Sequence, residues 1–257
     1  MICAATSVPA VTADLSRRTP VYGPRCKIGL VVPANNSVIE PEFWSVLPAG
    51  VAAYATRIMA RGNLTPEAVR LMETQVDRAV DELAATGVDV IAYADMVTTF
   101  IMEKGWNEAK VAHIAERTGT QCVSAWTSLR DALKTLGVRR LALGTPYPAA
   151  IHAMALPFFE AQGFAVVGNA TLDVLAMHDV PKIDGPMLEA FVSALPRSGA
   201  DALVLLATDL PTFGSIAKLE QACGCPVLSS NQVILWAALR AAGVAERPHG
   251  MGMLMEH

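Results

Sequence analysis

The sequence GVDVIAYA at residues 87–94 returns as GADALVLL at residues 199–206, and this repeat is the clearest indication of the fold. Each copy has a glycine, then an aspartate, then an apolar run of strand length. The starts of the two halves also match, since KIGLVVP at residues 27–33 corresponds to RLALGTP at residues 140–146. Repeated patterns indicate repeated structural units. We therefore predict two pseudo-symmetric lobes that face each other, with the active site in the cleft between them.

Short apolar runs alternate with longer amphipathic segments along both halves. A helix that begins at Thr65-Pro66 and stops at Gly87 is one example. Strands are predicted at residues 27–32, 88–94, 122–124, 140–143, 165–167, 202–206 and 227–228, and helices at residues 66–86, 108–118, 127–136, 149–162, 185–195, 215–221 and 231–242. This alternation predicts an α/β fold in which each lobe is a short parallel sheet flanked by helices. Ligands of such sheets lie beyond the carboxyl ends of the strands.

The predicted elements also divide the chain into units. Residues 1–25 lack a lysine-rich start followed by an apolar core, so we interpret them as an N-terminal tail rather than a signal peptide. Residues 26–126 together with residues 229–257 form the first lobe. Residues 127–228 form the second lobe.

Composition excludes several classes of function. Hydrophobic residues make up 53% of the 257 residues and charged residues 17%, which favours a folded chain with a large core. The mean hydropathy is +0.37, but no apolar run reaches the roughly 18 residues that a membrane span needs. The net charge of -4 provides no broad basic field for nucleic acid. The expected partner is a small carboxylate, with neither membrane nor nucleic acid involved.

The cysteines and the C-terminal methionines give weaker indications of the cellular compartment and the oligomeric state. The five cysteines are odd in number and fit no disulfide framework, which favours reduced thiols in the cytoplasm. Residues 251–255 (MGMLM) form either a terminal tail or an oligomer contact. We expect a cytoplasmic homo-oligomer.

Six short motifs in order along the chain carry a resemblance to a known superfamily. They are VPANN at residues 32–36, YAD at 93–95, GTPY at 144–147, GNA at 168–170, ATDL at 207–210, and SSNQ at 229–232 followed by Trp236. In this order and spacing the chain resembles the aspartate/glutamate racemase superfamily, from Lys27 to Gly243. Within it, the likeness is greatest to maleate cis–trans isomerases and arylmalonate decarboxylases.

The chain departs from this superfamily at the two positions where each lobe usually offers a cysteine. The resemblance places the first at Asp95, where the family has Tyr-Ala-Cys, and the second at Ala207, where it has Cys-Thr-Asn-Leu. Alanine can neither transfer a proton nor add to a double bond, and a carboxylate is a poor nucleophile toward an alkene. A standard racemase or maleate isomerase mechanism is therefore not expected.

Asp95 is the candidate general acid/base. It follows a predicted strand and faces the predicted cleft, where desolvation would raise its pKa toward neutrality. The alternative is a structural role, either as the cap of a helix or as the partner of Arg57.

The remaining candidate residues would bind a carboxylate. The amides of Asn35 and Asn36 stand where a helix is predicted to begin at Ser37 or Val38, a good place for an anion. The resemblance assigns binding roles to Asn35, Tyr147 and Asn169. The hydroxyls of Thr98 and Thr208 could donate to a second carboxylate or to an enediolate, and Thr99 and Thr212 are further candidates. The alternative for each is a turn or capping residue.

No cofactor or metal is expected. The chain has neither a phosphate loop nor a dinucleotide fingerprint, and no His, Cys and Asp spacing suits a metal. Three hypotheses remain: a cofactor-independent lyase or isomerase on a small mono- or dicarboxylate with Asp95 as acid/base; a hydrolase with an Asp95-activated water; and a non-catalytic carboxylate-binding protein.

Overall fold

A computed structural model describes residues 18–257, and the predicted α/β fold with two lobes is confirmed. The strands are β1 (Cys26–Pro33), β2 (Val51–Ile58), β3 (Val90–Tyr93), β4 (Gln121–Ser124), β5 (Arg140–Thr145), β6 (Ala165–Thr171), β7 (Ala202–Leu205) and β8 (Val227–Ser229). The helices are α1 (Ile39–Val46), α2 (Pro66–Glu73), α3 (Val76–Ala85), α4 (Thr98–Ile101), α5 (Trp106–Thr118), α6 (Ala125–Thr135), α7 (Ala149–Ala161), α8 (Gly185–Ala194), α9 (Ile216–Cys223) and α10 (Ser230–Ala241). Two 3-10 turns, Met177–Lys182 and Met253–Glu256, complete the elements.

The two sheets have the same topology. The first has the strand order β2-β1-β3-β4 and the second has β6-β5-β7-β8, and every neighbouring pair is parallel. The central strands β3 and β7 are buried along their whole length. The repeat seen in the sequence therefore corresponds to a repeated sheet, and the loops after β3 and β7 occupy equivalent places.

The repeated aspartate has a structural role in both lobes. The Asp89 carboxylate accepts a hydrogen bond from the N–H of Lys27 at 2.8 Å, where β1 begins. The Asp201 carboxylate accepts from the N–H groups of Arg139 and Arg140 at 3.0 and 2.8 Å, where β5 begins. Hydrogen bonds to an ionised acceptor are among the stronger ones in proteins. The aspartate thus fastens the start of one central strand to its neighbour.

The helices that follow β4 and β8 connect the two lobes. Ser124 and Ser229 form capping boxes at the starts of α6 and α10. These two helices pack against each other, and α10 also contacts β3 and β4 of the first sheet. The predicted lobe boundaries remain a proposal, which this packing supports for helix α10, whereas the Met253 N–H bonds to Glu220 of the second lobe.

Two features of the first lobe differ from the prediction. Strand β2 was missed; it is an edge strand of half-exposed residues with three alanines, which have a weak preference for strands. The predicted helix at 66–86 is two helices, α2 and α3. Its apolar stripe continues across the break at residues 74–75, where the Gln75 side chain accepts a hydrogen bond from the N–H of Met59 at 3.0 Å. Periodicity alone could not locate that break.

The C-terminal methionines pack within the chain. Met251 and Met255 are buried, and the side-chain amide of Gln232 donates to the Met251 carbonyl at 2.6 Å. Met253 is partly exposed, and its N–H donates to the Glu220 carboxylate. Homo-oligomerisation remains a prediction. Within residues 18–257, no helix has both the length and the apolar character needed to cross a membrane.

Candidate active site

A cavity lies between the lobes at the carboxyl ends of the central strands. Its empty volume, including the part open to solvent, is about 570 Å³. Its lining comes from both halves of the chain: Pro33, Asn35, Asn36, Ala60, Leu64, Ala68, Val69, Met72, Asp95, Met96, Val97, Tyr147, Val174, Met177, Val180, Ala207, Thr208 and Asp209. None of these described lining residues is a lysine, arginine or histidine. The carboxyl groups among them belong to Asp95 and Asp209.

Asp95 lies two residues beyond β3 and its side chain faces the cavity. The residue is 6% exposed, and its Oδ1 accepts the N–H of Thr98 at 2.9 Å. Burial raises the Asp95 pKa from its usual 3.8 to about 6, although the Thr98 N–H opposes this shift. The capping role considered for Asp95 is thus present, because Thr98 begins helix α4, and the acid/base role stays a prediction. Arg57, the other suggested partner, instead pairs with Glu40.

Asp209 is a second acid on the cavity wall, from the opposite lobe. Its Oδ2 accepts a hydrogen bond from the Asn35 Nδ2 at 3.3 Å. Desolvation and, to a smaller extent, the charge of Asp95 raise the Asp209 pKa from 3.8 to about 7, although the Asn35 hydrogen bond opposes this shift. Sequence reasoning missed this residue as part of the site. The sequence signal for Asp209 was the aspartate of ATDL at residues 207–210, because the superfamily that the chain resembles has an asparagine there.

Tyr147 follows β5 and is buried against the cavity. Burial and the nearby charges of Asp95 and Asp209 hold the pKa of its phenol well above the usual value of 10.0. The ring of Phe100 meets the Tyr147 ring edge-on, with the centroids 6.5 Å apart. Tyr147 is therefore a neutral hydrogen-bond donor with a fixed ring, close to both acids.

Ala207 occupies a strained backbone conformation at the cavity wall. Its φ of 96° lies in the left-handed region that residues with a side chain avoid. The Ala207 N–H donates to the Ser230 Oγ at 3.1 Å, which helps to hold this geometry. Strain of this kind persists where the surrounding structure imposes it, often at functional sites. It makes the loop after β7 a candidate functional segment, although the alanine itself has no reactive group.

Asn36 and Thr208 line the cavity, but their polar groups already have protein partners. The Asn36 Oδ1 accepts the N–H groups of Val38 and Ile39 at 2.9 and 3.1 Å, at the start of α1. The Asn36 Nδ2 donates to the Thr208 Oγ1 at 3.1 Å, and that hydroxyl donates to the Ala94 carbonyl at 3.1 Å. Asn36 thus caps helix α1, which is the structural alternative considered for it, and its bond to Thr208 joins the two lobes.

Asn35 and Thr98 have polar atoms that lack partners within residues 18–257. The buried Oδ1 of Asn35, a cavity-lining residue, makes no hydrogen bond there. Thr98 is fully buried but does not line the cavity, and its hydroxyl also has no partner in the described part of the chain. The unpaired Asn35 atom is an acceptor, so its predicted carboxylate-binding role stays a prediction, whereas Thr98 contacts Asp95 through its N–H.

The structure does not bring Asn169 to the cavity. Asn169 is exposed on β6, the outermost strand of the second sheet, and its Oδ1 bonds to the Nε2 of His152 at 3.0 Å. The other ring nitrogen of His152 bonds to Thr145 at 2.9 Å. The predicted substrate contact is therefore replaced by a polar link between β6 and α7.

The described cysteines lie away from the cavity. Cys26, Cys122, Cys223 and Cys225 are free thiols, and none of them lines it. Burial raises the pKa of Cys26 to about 11 and that of Cys122 to about 12, so both remain unreactive thiols near neutral pH. Cys3 lies outside the described residues. Within residues 18–257, no three His, Cys, Asp or Glu side chains are placed to hold a metal ion.

The chain is a two-lobed α/β protein in which each lobe has a parallel sheet. Its candidate site is the cavity between the lobes, at the strand ends, where a buried acid lies. The model of the arylmalonate decarboxylase family matches residues 28–255. The maleate isomerase of Geobacillus stearothermophilus is 27% identical over 89% of this chain and 96% of its own length. The arylmalonate decarboxylase of Bordetella bronchiseptica is 26% identical with the same coverage. The chain belongs to the arylmalonate decarboxylase family, and these relatives are an isomerase and a lyase.

A solved structure of a relative has the same fold. The maleate cis-trans isomerase of Nocardia farcinica, as a mutant with a covalently bound succinylcysteine intermediate, superposes with a TM-score of 0.84 and 28% identity. The match covers 90% of this chain and 98% of that chain. That relative forms a bond to a cysteine, whereas no described cysteine of this chain lines the cavity.

Proposed function

We propose that the protein is a cofactor-independent isomerase or lyase that acts on a small mono- or dicarboxylate through an enediolate-like state, with Asp95 as general acid/base. The observation that carries this proposal is the position of Asp95: a buried carboxyl group in the interlobe cavity, with a pKa of about 6. A group that titrates near the working pH can both accept and return a proton, which is the requirement for such a catalyst.

Neutral donors around Asp95 suit the charge that develops in this reaction. The Tyr147 phenol stays protonated, and a negative oxygen on the substrate could accept a hydrogen bond from it. Asn35 lines the same cavity and fixes Asp209 through its amide nitrogen. Preorganised donors in a buried site usually contribute most to stabilising an oxyanion. An enediolate formed beside Asp95 would therefore have hydrogen-bond donors within the cavity.

The apolar wall of the cavity favours a substrate with a hydrophobic group. One side of the cavity consists of aliphatic residues from the loops and helices of both lobes: Leu64, Ala68, Val69, Met72, Val174, Met177 and Val180. Burying an apolar group there would contribute about 25 cal/mol for each square ångström removed from water. The name of one relative, an arylmalonate decarboxylase, fits a carboxylate with a hydrophobic group, and the names of the maleate isomerases fit a small dicarboxylate.

The test is a product screen with a matched pair of variants. Phenylmalonate, maleate and 2-phenylpropionate would be incubated with the protein in D2O, and products and deuterium incorporation would be followed by NMR. We expect turnover or carbon-bound deuterium with at least one of them, and its loss in Asp95→Asn. Asp131→Asn, an exposed acid paired with Arg130, is the control and should behave as wild type.

The screen also separates the two other functions. Incorporation of labelled oxygen from solvent into a cleaved acyl group would indicate a hydrolase that uses an Asp95-activated water. A carboxylate that raises the melting temperature but is never consumed would indicate a binding protein. Full activity in Asp95→Asn would contradict the proposal.

A further inference from the structure

We propose that Asp209 is a second catalytic residue and that Asp95 and Asp209 act as a pair, one as the base and the other as the acid. The inference rests on the proposed function and extends it by naming the partner of Asp95. Its starting point is the placement of the two acids. Asp95 follows β3 in the first lobe, and Asp209 follows the equivalent strand β7 in the second, and both line one cavity.

Each carboxyl group is oriented by a hydrogen bond from a residue of the first lobe. The Oδ1 of Asp95 accepts the Thr98 N–H at 2.9 Å, and the Oδ2 of Asp209 accepts the Asn35 Nδ2 at 3.3 Å. Both contacts come from the first lobe, so Asn35 holds an acid of the opposite lobe. A substrate between the lobes would meet one carboxyl group from each side.

The charges around the pair favour a single shared proton. No lysine, arginine or histidine is present among the described lining residues, so no cation there offsets two carboxylates. The Tyr147 phenol beside both acids is neutral, and behind Asp95 the Tyr93 phenol donates to the Glu73 carboxylate at 2.6 Å. Two nearby carboxylates without a counter-charge do not both ionise readily. Near neutral pH one member is therefore ionised and the other protonated.

The chemistry of the pair balances for an isomerisation. The ionised acid, Asp95, removes the proton from the carbon next to the substrate carboxyl, and the electron pair of the broken C–H bond passes into that carboxyl to form an enediolate. The protonated acid, Asp209, then places its proton on the other face of that carbon. Asp95 ends protonated and Asp209 ionised, so the total charge is unchanged and the product has the composition of the substrate. Transfer of one proton between the acids restores the starting state.

The first experiment compares Asp209→Asn with Asp95→Asn on the substrate found in the screen. The Asp209→Asn substitution keeps the size of the side chain and an oxygen that can accept from Asn35. We expect net conversion by Asp209→Asn to fall by about 100-fold or more, the range typical of a lost acid/base. Deuterium exchange at the substrate carbon should continue, because Asp95 can still remove the proton. Asp95→Asn should lose conversion and the exchange of the enantiomer whose proton faces Asp95.

The pH profile and the carboxyl titrations provide independent readouts. The rate of the wild type should fall on both sides of near-neutral pH, and Asp209→Asn should lose the alkaline limb. In protein labelled with 13C at aspartate carboxyls, both acids should titrate well above pH 4, and Asp95→Asn should lower the titration point of Asp209. This titration needs no substrate. It therefore tests whether protonation of Asp95 and protonation of Asp209 are coupled, even if the screen finds no turnover.

The outcomes separate the two proposals. Wild-type conversion in Asp209→Asn, together with an inactive Asp95→Asn, would overturn the role of Asp209 and leave the proposed function intact. Full activity in both variants would overturn both proposals. An Asp209 carboxyl that titrates near pH 4 and does not respond to Asp95→Asn would contradict the proposal that the two acids act as a pair.

Discussion

The side-chain amide of Asn36 donates to the hydroxyl of Thr208 across 3.1 Å, and this buried bond joins the two lobes beside the cavity. The same hydroxyl donates to the Ala94 carbonyl, next to Asp95. Asp209 directly follows Thr208 in the chain. The lobes are thus joined beside the cavity that both acids line, so stability and catalysis are expected to depend on the same few polar contacts.

Thr208→Val should test this connection. Valine has nearly the same shape but leaves the Asn36 amide and the Ala94 carbonyl without a buried partner. We expect the free energy of unfolding to fall by about 1–3 kcal/mol, the usual cost of an unsatisfied buried group. Urea denaturation measures this loss. A variant as stable as the wild type would show that the bond does not contribute to holding the lobes together.

Glu42 should stabilise the loop that carries Asp209. Its carboxylate accepts the N–H groups of Thr212 and Phe213 at 2.5 and 2.8 Å and the Asn231 Nδ2 at 2.7 Å. Burial raises the pKa of Glu42, and these three donors oppose that shift. Since hydrogen bonds to charged groups contribute about 1.5–3 kcal/mol each and are not additive, Glu42→Ala should lower the unfolding free energy by about 3 kcal/mol.

Chemical denaturation of Glu42→Ala would measure this effect, with the exposed Glu116→Ala as the matched control. The control should remain within about 0.5 kcal/mol of the wild type, as surface substitutions usually do. Equal stability of the two variants would contradict the role of Glu42.

The raised pKa of Asp95 predicts a pH dependence of stability. Because its pKa in the folded protein is about 6 against a usual 3.8, the folded protein holds a proton that the unfolded chain has lost. This contribution is fully present below about pH 4 and is lost as the pH rises through 6. At each pH the unfolding free energy of Asp95→Asn is subtracted from that of the wild type. This difference should fall by about 3 kcal/mol between pH 4 and pH 7. Denaturation of both proteins across this range measures it, and a constant difference would contradict the raised pKa.

Activity should resist thiol reagents. The described cysteines lie outside the cavity, and burial raises the pKa of Cys26 and Cys122 far above neutral pH. Iodoacetamide at pH 7 should therefore leave turnover unchanged over a time that modifies free cysteine completely. Inactivation that a bound carboxylate prevents would show that a thiol takes part and would weaken the case for Asp95.

The sequence predicted most of the fold because the fold is repeated. The strands with strong apolar runs, β3 and β7, were found within two residues of their ends, and the glycine and aspartate before each run marked the equivalent positions. Strand β2 was missed because its alanines carry little strand preference, and its pairing with β1 is a tertiary contact.

The candidate site could be predicted only in part. Asp95, Asn35 and Tyr147 follow strands of the two sheets, and the structure brings all three to one cavity. Asn169 also occupies a motif of the resembling family, but its side chain bonds to His152 away from the cavity. Asp209 was missed because a carboxyl two residues beyond the equivalent of the family cysteine becomes notable only when its burial is known. Which polar side chains already have protein partners depends on packing that a sequence does not reveal.

The most direct test of the central claim is the rate of carbon-bound deuterium incorporation by wild type and Asp95→Asn, measured by NMR in D2O near neutral pH. Asparagine keeps the shape of the side chain but cannot accept or return the proton. Wild type should incorporate deuterium into substrate or product, and Asp95→Asn should do so at least about 100-fold more slowly. Equal rates in a folded Asp95→Asn would contradict the central claim.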